Sequence, residues 1–224
     1  MQTVLLTRTQ ENNLELKNFL LKKQYNVLED SLINFCPDYE ILENLSNYIK
    51  KYSLIITSGY AAKLLSSLYS DMNIKCYVIG KSTADFLSIN GFKILGCFEN
   101  LTQLNSNIPK NKELLYIRGE TITGQLNTYQ KEKIIYKTQY KTELNSNIID
   151  AINNNLLDIV SLHSLKTAET FLFASKNSKV SMNKIVKLNF FCLSHNIADY
   201  LTDLGCINTR FPTKINSESF LELF

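Results

Sequence analysis

Few residues of this 224-residue chain are suited to chemistry, which makes their positions informative. Its two histidines are His163 and His195, and its three arginines are Arg8, Arg118 and Arg210. Neither histidine lies in a metal-ligand pattern, so no zinc site is expected. A Ser–His pair built on Ser58 or Ser164 is conceivable, but no GxSxG elbow exists, which argues against nucleophilic hydrolysis. Gly80-Lys81-Ser82-Thr83 lacks the leading glycine and four-residue spacer of a P-loop. No GxGxxG follows the first apolar run, which argues against dinucleotides.

What remains is a set of polar clusters that each follow an apolar run: Thr57-Ser58-Gly59, Gly80-Lys81-Ser82-Thr83, His163-Ser164 and Ser194-His195-Asn196. Where a strand ends and a helix begins, free backbone N–H groups attract anions. The competing reading is that these Ser, Thr and Asn residues only cap helices. Several such ends on facing edges favour carboxylate binding. Tyr136 lies in the extended stretch Ile134-Ile135-Tyr136-Lys137-Thr138. It either packs as a β-favouring aromatic or offers a hydroxyl, a donor or weak general acid at neutral pH.

Six apolar runs position these clusters: Val4-Leu5-Leu6, Leu54-Ile55-Ile56, Cys76-Tyr77-Val78-Ile79, Leu114-Leu115-Tyr116-Ile117, Ile159-Val160-Ser161-Leu162 and Phe190-Phe191-Cys192-Leu193. Continuous apolar runs suit strands buried on both faces, as in parallel sheets. Helical spacing lies between them, as in Leu14, Leu16, Phe19 and Leu20 and in Ile197, Ala198, Leu201 and Leu204. The expectation is an α/β protein with right-handed crossovers.

An internal similarity points to two copies of one α/β unit. Ile79 to Leu87 is echoed by Leu193 to Leu201, with Ala, Asp, an aromatic and Leu in register. Upstream, Thr57-Ser58 and Ala62 align with His163-Ser164 and Ala168. Tyr25 to Ile33 and Lys133 to Tyr140 are extended and bracket the middle third. They read as linker strands, near residues 25–35 and 133–140. The expected fold is two similar parallel-sheet, flavodoxin-like α/β domains joined by a two-stranded β linker. One spans 36–134; the other is discontinuous, 1–33 plus 141–224. The active site is expected in the cleft between them.

Composition restricts the partners. Net charge is +3 and no long charged block occurs, so nucleic acid is not expected. The five cysteines are odd in number and lack CxxC spacing, which suits a reducing, cytoplasmic setting. No signal peptide or membrane span is visible, and a monomer is expected.

Taken in order, these segments resemble the uroporphyrinogen-III synthase family over nearly the whole chain. The residues that carry the likeness are Val4-Leu5-Leu6-Thr7-Arg8, Ile55-Ile56-Thr57-Ser58 with Ala61-Ala62, and Val78 to Ala84 with Gly91-Phe92. Leu114-Leu115-Tyr116-Ile117-Arg118-Gly119 and the Tyr136-Lys137-Thr138 linker motif continue it. Asp158-Ile159-Val160, Ser164, Thr167-Ala168, Ile197-Ala198 and Leu204-Gly205 repeat the theme. The family's second GxTTA-like turn departs to Ser194-His195-Asn196-Ile197-Ala198, and Leu165-Lys166 replaces its usual small residue.

The resemblance implies a lyase of haem biosynthesis that needs neither metal nor cofactor. It would take hydroxymethylbilane, lose water and form an azafulvene on ring A. Attack on ring D through a spiro intermediate would give uroporphyrinogen III with ring D inverted. Tyr136 would serve the departing hydroxyl as a general acid. Arg8, Thr57, Ser58, Lys81, Ser82, Thr83, Arg118, Ser164, Lys166, His195 and Asn196 would bind substrate carboxylates, with a buried structural partner of an acidic residue as the equal alternative for Arg118. Without the resemblance, the competing function is a non-catalytic two-lobe binding protein for an anionic metabolite.

Overall fold

A computed structural model describes residues 1–70, 72–109, 113–122 and 124–224. In chain order the elements are β1 (Thr3–Leu6), α1 (Gln10–Lys22), β2 (Asn26–Glu29), β3 (Ile33–Pro37), α2 (Tyr39–Glu43), α3 (Ser46–Ile49), β4 (Ser53–Ile56) and α4 (Gly59–Tyr69). There follow β5 (Lys75–Ile79), α5 (Lys81–Ile89), β6 (Lys93–Phe98), α6 (Leu101–Asn107), β7 (Leu114–Gly119) and β8 (Lys131–Tyr140). The last are α7 (Ser146–Asn153), β9 (Ile159–Leu162), α8 (Leu165–Asn177), α9 (Met182–Ile185), β10 (Asn189–Cys192), α10 (His195–Asp203), β11 (Thr209–Arg210) and α11 (Ser217–Leu221).

The chain divides into two compact units. Unit 1 comprises Met1–Asn34 and Gln139–Phe224, and unit 2 is Phe35–Thr138. Unit 1 holds a five-stranded sheet in the order β11-β10-β9-β1-β2, with every pair parallel. In unit 2 a six-stranded sheet runs β3-β8-β7-β4-β5-β6, parallel from β8 to β6.

The apolar runs form strands because both faces are covered, and successive side chains serve opposite faces. In β1, Val4 and Leu6 pack with Leu16, Leu20 and Phe220 on one face. Leu5, between them, packs with Val160, Phe171 and Phe190 on the other. In β4, Leu54 and Ile56 join Ala62, Leu65 and Val78, whereas Ile55 turns to Tyr77, Leu104 and Tyr116.

Two expected stripes are cut short. Leu14 is exposed on α1 and Leu204 lies just past the end of α10, also exposed. On α1 the buried set is Asn13, Leu16 and Leu20, one helical phase. Asn13 belongs there because its side-chain N–H donates to the Arg8 carbonyl at 2.8 Å. The extended stretch at 25–33 resolves into β2, paired to β1 within unit 1, while the strand beginning at Ile33 runs from one unit into the next.

The two units share one topology cut at different points. Read from β4, unit 2 runs 3-2-1-4-5 across the sheet from β6 to β8. Unit 1 gives the same order when read from β9 and wrapped from β11 to β1. The correspondence therefore sets β9 on β4, β10 on β5, β1 on β7 and β2 on β8. This permutation accounts for the internal sequence similarity and for the discontinuity of unit 1.

Candidate active site and its relatives

In unit 2, β4, β5 and β7 end at one edge of the sheet, since Ile56 pairs with both Val78 and Ile117. Side chains just beyond these ends share one opening, as the strand-end rule for open parallel sheets requires. A cavity of about 600 Å³ lies there, lined by Thr57, Ser58, Asn100, Tyr116, Arg118 and Tyr136 among others. It brings together four of the expected site residues: Thr57, Ser58, Arg118 and Tyr136.

Tyr136 stands in β8, with its ring edge-on to Tyr60 at 4.9 Å and to Phe35 at 5.5 Å between centroids. Its hydroxyl lies 2.9 Å from the Ser58 hydroxyl. Ser58 is also the N-cap of α4, accepting from the Ala61 N–H at 3.3 Å. Capping and site roles therefore coexist in one side chain. With Ser58 donating to the phenol oxygen, the phenol hydrogen is free to point at a ligand. Burial raises the Tyr136 pKa, against a smaller lowering by the Ser58 bond, so the phenol is protonated at neutral pH.

Gly119 makes this placement possible. A Cβ there would lie 2.7 Å from the Tyr136 hydroxyl and closer still to its ring. The β7–β8 register also shifts between Arg118 and Gly119, which brings Gly119 opposite Tyr136. The neighbouring pair is Thr57 and Tyr116, whose hydroxyls are 3.0 Å apart.

Arg118 is heavily engaged. Its Nε and Nη2 donate to Glu132 at 3.0 and 3.1 Å, and its Nη1 donates to the carbonyls of Gly119 and Glu120. The Glu132 bond raises the Arg118 pKa, and the same bond lowers that of Glu132. Arg118 thus organises the cavity wall. Its charge is already met.

The other expected residues lie elsewhere. Lys81 and Ser82 are exposed at the start of α5, with Thr83 half-buried close to Gly59 and Gly80. They follow Gly80, whose φ of 89° is the left-handed region that favours glycine. In unit 1, Ser164 caps α8 by accepting from the Thr167 N–H at 3.1 Å. Lys166 pairs with Glu169 at 2.9 Å and sits over the Tyr140 ring. His195 is exposed, 2.7 Å from Asp199, and edge-on to Phe211; Asn196 is exposed beside it. Arg8 is half-buried at the end of β1.

Sequence reasoning missed Tyr116 and Asn100. Tyr116 read as core because it sits within an apolar run. Asn100 caps α6 after β6, accepting from the Gln103 N–H at 3.0 Å, and only a strand–helix punctuation at Phe98–Leu101 could have signalled it. No nucleophile–base pair forms among the described residues: Ser58 and Ser164 bond to Tyr136 and Thr167 rather than to histidine.

These features define a class: an α/β protein of two permuted copies of one parallel-sheet unit, with hydroxyl-lined strand ends. Comparisons with known proteins narrow it. The family profile described as Uroporphyrinogen-III synthase HemD matches residues 15–222. This chain belongs to the uroporphyrinogen-III synthase family, a family of cyclising lyases. Its fold is similar to that of a mutant uroporphyrinogen III synthase from the extremely thermophilic bacterium Thermus thermophilus, with TM-score 0.60 and 12% identity over 100% of this chain and 96% of that one. A second crystal form, of the wild-type Thermus thermophilus enzyme, matches at TM-score 0.44 and 13% identity, covering 94% and 91% of the two chains. No curated protein matches the chain at the sequence level. Among the described residues, no helix is long and apolar enough to cross a membrane.

Proposed function

We propose that this chain converts hydroxymethylbilane to uroporphyrinogen III, acting as a carbon–oxygen lyase in the cytoplasm and as a monomer. Beyond family membership, the observation that carries the reading is the half-buried Tyr136–Ser58 hydroxyl pair lining the unit 2 cavity.

The ring A hydroxyl leaves as water, taking one proton from the Tyr136 phenol, and a cationic azafulvene remains. This electrophile bonds to the substituted carbon of ring D, giving a spiro intermediate. Fragmentation and reclosure invert ring D, and loss of a proton restores the pyrrole. Tyr136, protonated because it is buried, donates a hydrogen bond to the departing hydroxyl. Ser58 holds the phenol oriented.

The bilane closes by itself to the uninverted isomer I, so the protein's main task is orientation. Fixing geometry in this way can supply roughly 7–11 kcal/mol in favourable cases. Hydroxyls such as Thr57, Thr83 and Ser164, the exposed Lys81 and Lys166, the His195-Asn196 turn and the free N–H groups of the strand-end helices serve the substrate's eight carboxylates. Tyr136→Phe tests the acid role, with turnover expected to fall at least about tenfold at little change in fold. Full activity with isomer III as product would remove Tyr136 from the chemistry.

A further inference from the structure

The permuted repeat lets residues of one unit be matched one to one with residues of the other. Leu6 pairs with Ser161 in unit 1 as Tyr116 pairs with Ile55 in unit 2. Carried two residues on, Arg8 corresponds to Arg118, and His163-Ser164 to Thr57-Ser58. On the next strand, Leu6 pairs with Glu29 as Tyr116 pairs with Glu132, so the two glutamates correspond as well.

The copies differ in what they do with the arginine. In unit 2 Glu132 neutralises Arg118 through a two-pronged bond. In unit 1 the equivalent Glu29 is taken by Lys17 and also accepts from the Asn13 amide at 3.4 Å. Lys17 and Asn13 belong to α1, the helix between β1 and β2. Between β7 and β8, the described residues of 120–130 form no helix; Tyr129 there donates to Glu132 at 3.2 Å, and Glu132 keeps both of its bonds to Arg118. Arg8 is left half-buried, and among the described residues no carboxylate pairs with it. A cation drawn out of water without a partner is costly unless an anion arrives.

His163, beside Arg8 at the end of β9, replaces the threonine of the other copy. Its ring lies against Phe220 at 4.5 Å, and its Nδ1 is buried with no hydrogen-bond partner. A buried N–H without an acceptor is the rarer orphan, so Nδ1 carries the lone pair and Nε2 the proton. His163 itself is only half-buried, so the open edge of the ring presents the Nε2–H donor.

We propose that the Arg8 guanidinium and the His163 Nε2–H form a carboxylate seat at the strand end of unit 1, holding one acetate or propionate arm of the tetrapyrrole substrate. The inference rests on the proposed function for the identity of the ligand. Arg8 supplies the charge. The neutral imidazole supplies a second donor and no further positive charge, since burial and Arg8 together lower its pKa to about 3.

Binding of uroporphyrin III, a stable octacarboxylate stand-in, tests the seat on the intact protein by fluorescence titration. His163→Phe keeps a ring against Phe220 and removes the donor; His163→Gln keeps an N–H donor and removes the ring. The dissociation constant is expected to rise about tenfold for the Phe variant, as for one lost hydrogen bond to a charged group, with the Gln variant near wild type. The reverse order, or no change in either, would overturn the proposal. Should the Phe variant not fold, the imidazole NMR signals of wild type decide, assigned with the Gln variant. A shift of the His163 Nε2 signal on adding uroporphyrin supports the seat, and an unmoved signal at saturation overturns it. Wild type that forms isomer III while the Phe variant binds normally refutes only the seat, whereas wild type that forms no isomer III refutes the function.

Discussion

Tyr136 owes both its position and its protonation to its packing neighbours. Phe35 and Tyr60 hold its ring, Gly119 leaves room for its hydroxyl edge, and burial keeps it neutral. Gly119→Ala is therefore expected to lower turnover about as far as Tyr136→Phe, because the added methyl must displace the ring. Overpacking of this kind also costs roughly 1–3 kcal/mol of stability, measurable by urea unfolding. A Gly119→Ala variant with normal kcat would show that the ring position is irrelevant. At this scale the sequence was only half legible. Tyr136 stood out because an extended stretch made it a linker residue, and Thr57, Ser58 and Arg118 stood at readable strand ends. That Arg118 has an acidic partner was one of its two readings; that the partner is Glu132 was not legible, because Glu132 is distant in sequence and sits between Lys131 and Lys133 like any solvated charge. Tyr116 was hidden by its apolar neighbours, since a buried strand and a site-lining strand use the same residue types.

Among the elements, unit 1 must join β2, near the start of the chain, to the segment that re-enters it after β8. Asp30 does this. Its buried carboxylate accepts from the Lys141 ammonium and from the Asn145 N–H at 2.9 Å, while Lys141 also donates to Asn145 at 2.7 Å. Removing this carboxylate leaves the half-buried Lys141 ammonium and the Asn145 N–H without their acceptor, so Asp30→Ala is expected to destabilise the protein by about 1–3 kcal/mol in urea unfolding. A change below about 0.5 kcal/mol would mean that the segments hold together without this contact. The strand runs were legible because continuous apolar residues need cover on both faces. Stretch 25–33 was harder: β2 is an edge strand with half-buried residues, so its mixed pattern looks like a linker. Asn13 escaped notice for a related reason, as a polar side chain within a helix core shows its purpose only when the Arg8 carbonyl is placed.

For the molecule as a whole, the repeat makes the asymmetries between copies informative. One asymmetry reaches global stability. His163 is half-buried with its Nδ1 enclosed, and desolvation, with Arg8 nearby, lowers its pKa from 6.5 to about 3 in the folded state. Between those values the unfolded chain binds more protons than the folded one, so stability rises with pH and is lost as pH falls through the window. Unfolding free energy is expected to drop by about 1–2 kcal/mol more from pH 7 to pH 5 in wild type than in His163→Phe. Parallel acid limbs for the two proteins would show that the imidazole titrates normally.

The most direct test is the isomer composition of the product. Hydroxymethylbilane, made fresh from porphobilinogen by a deaminase, would be incubated with and without the folded protein, and the oxidised uroporphyrins separated by chromatography. The account predicts that isomer III dominates with the protein and isomer I without it. Isomer I alone in both samples would contradict the account and leave a carboxylate-binding protein without turnover.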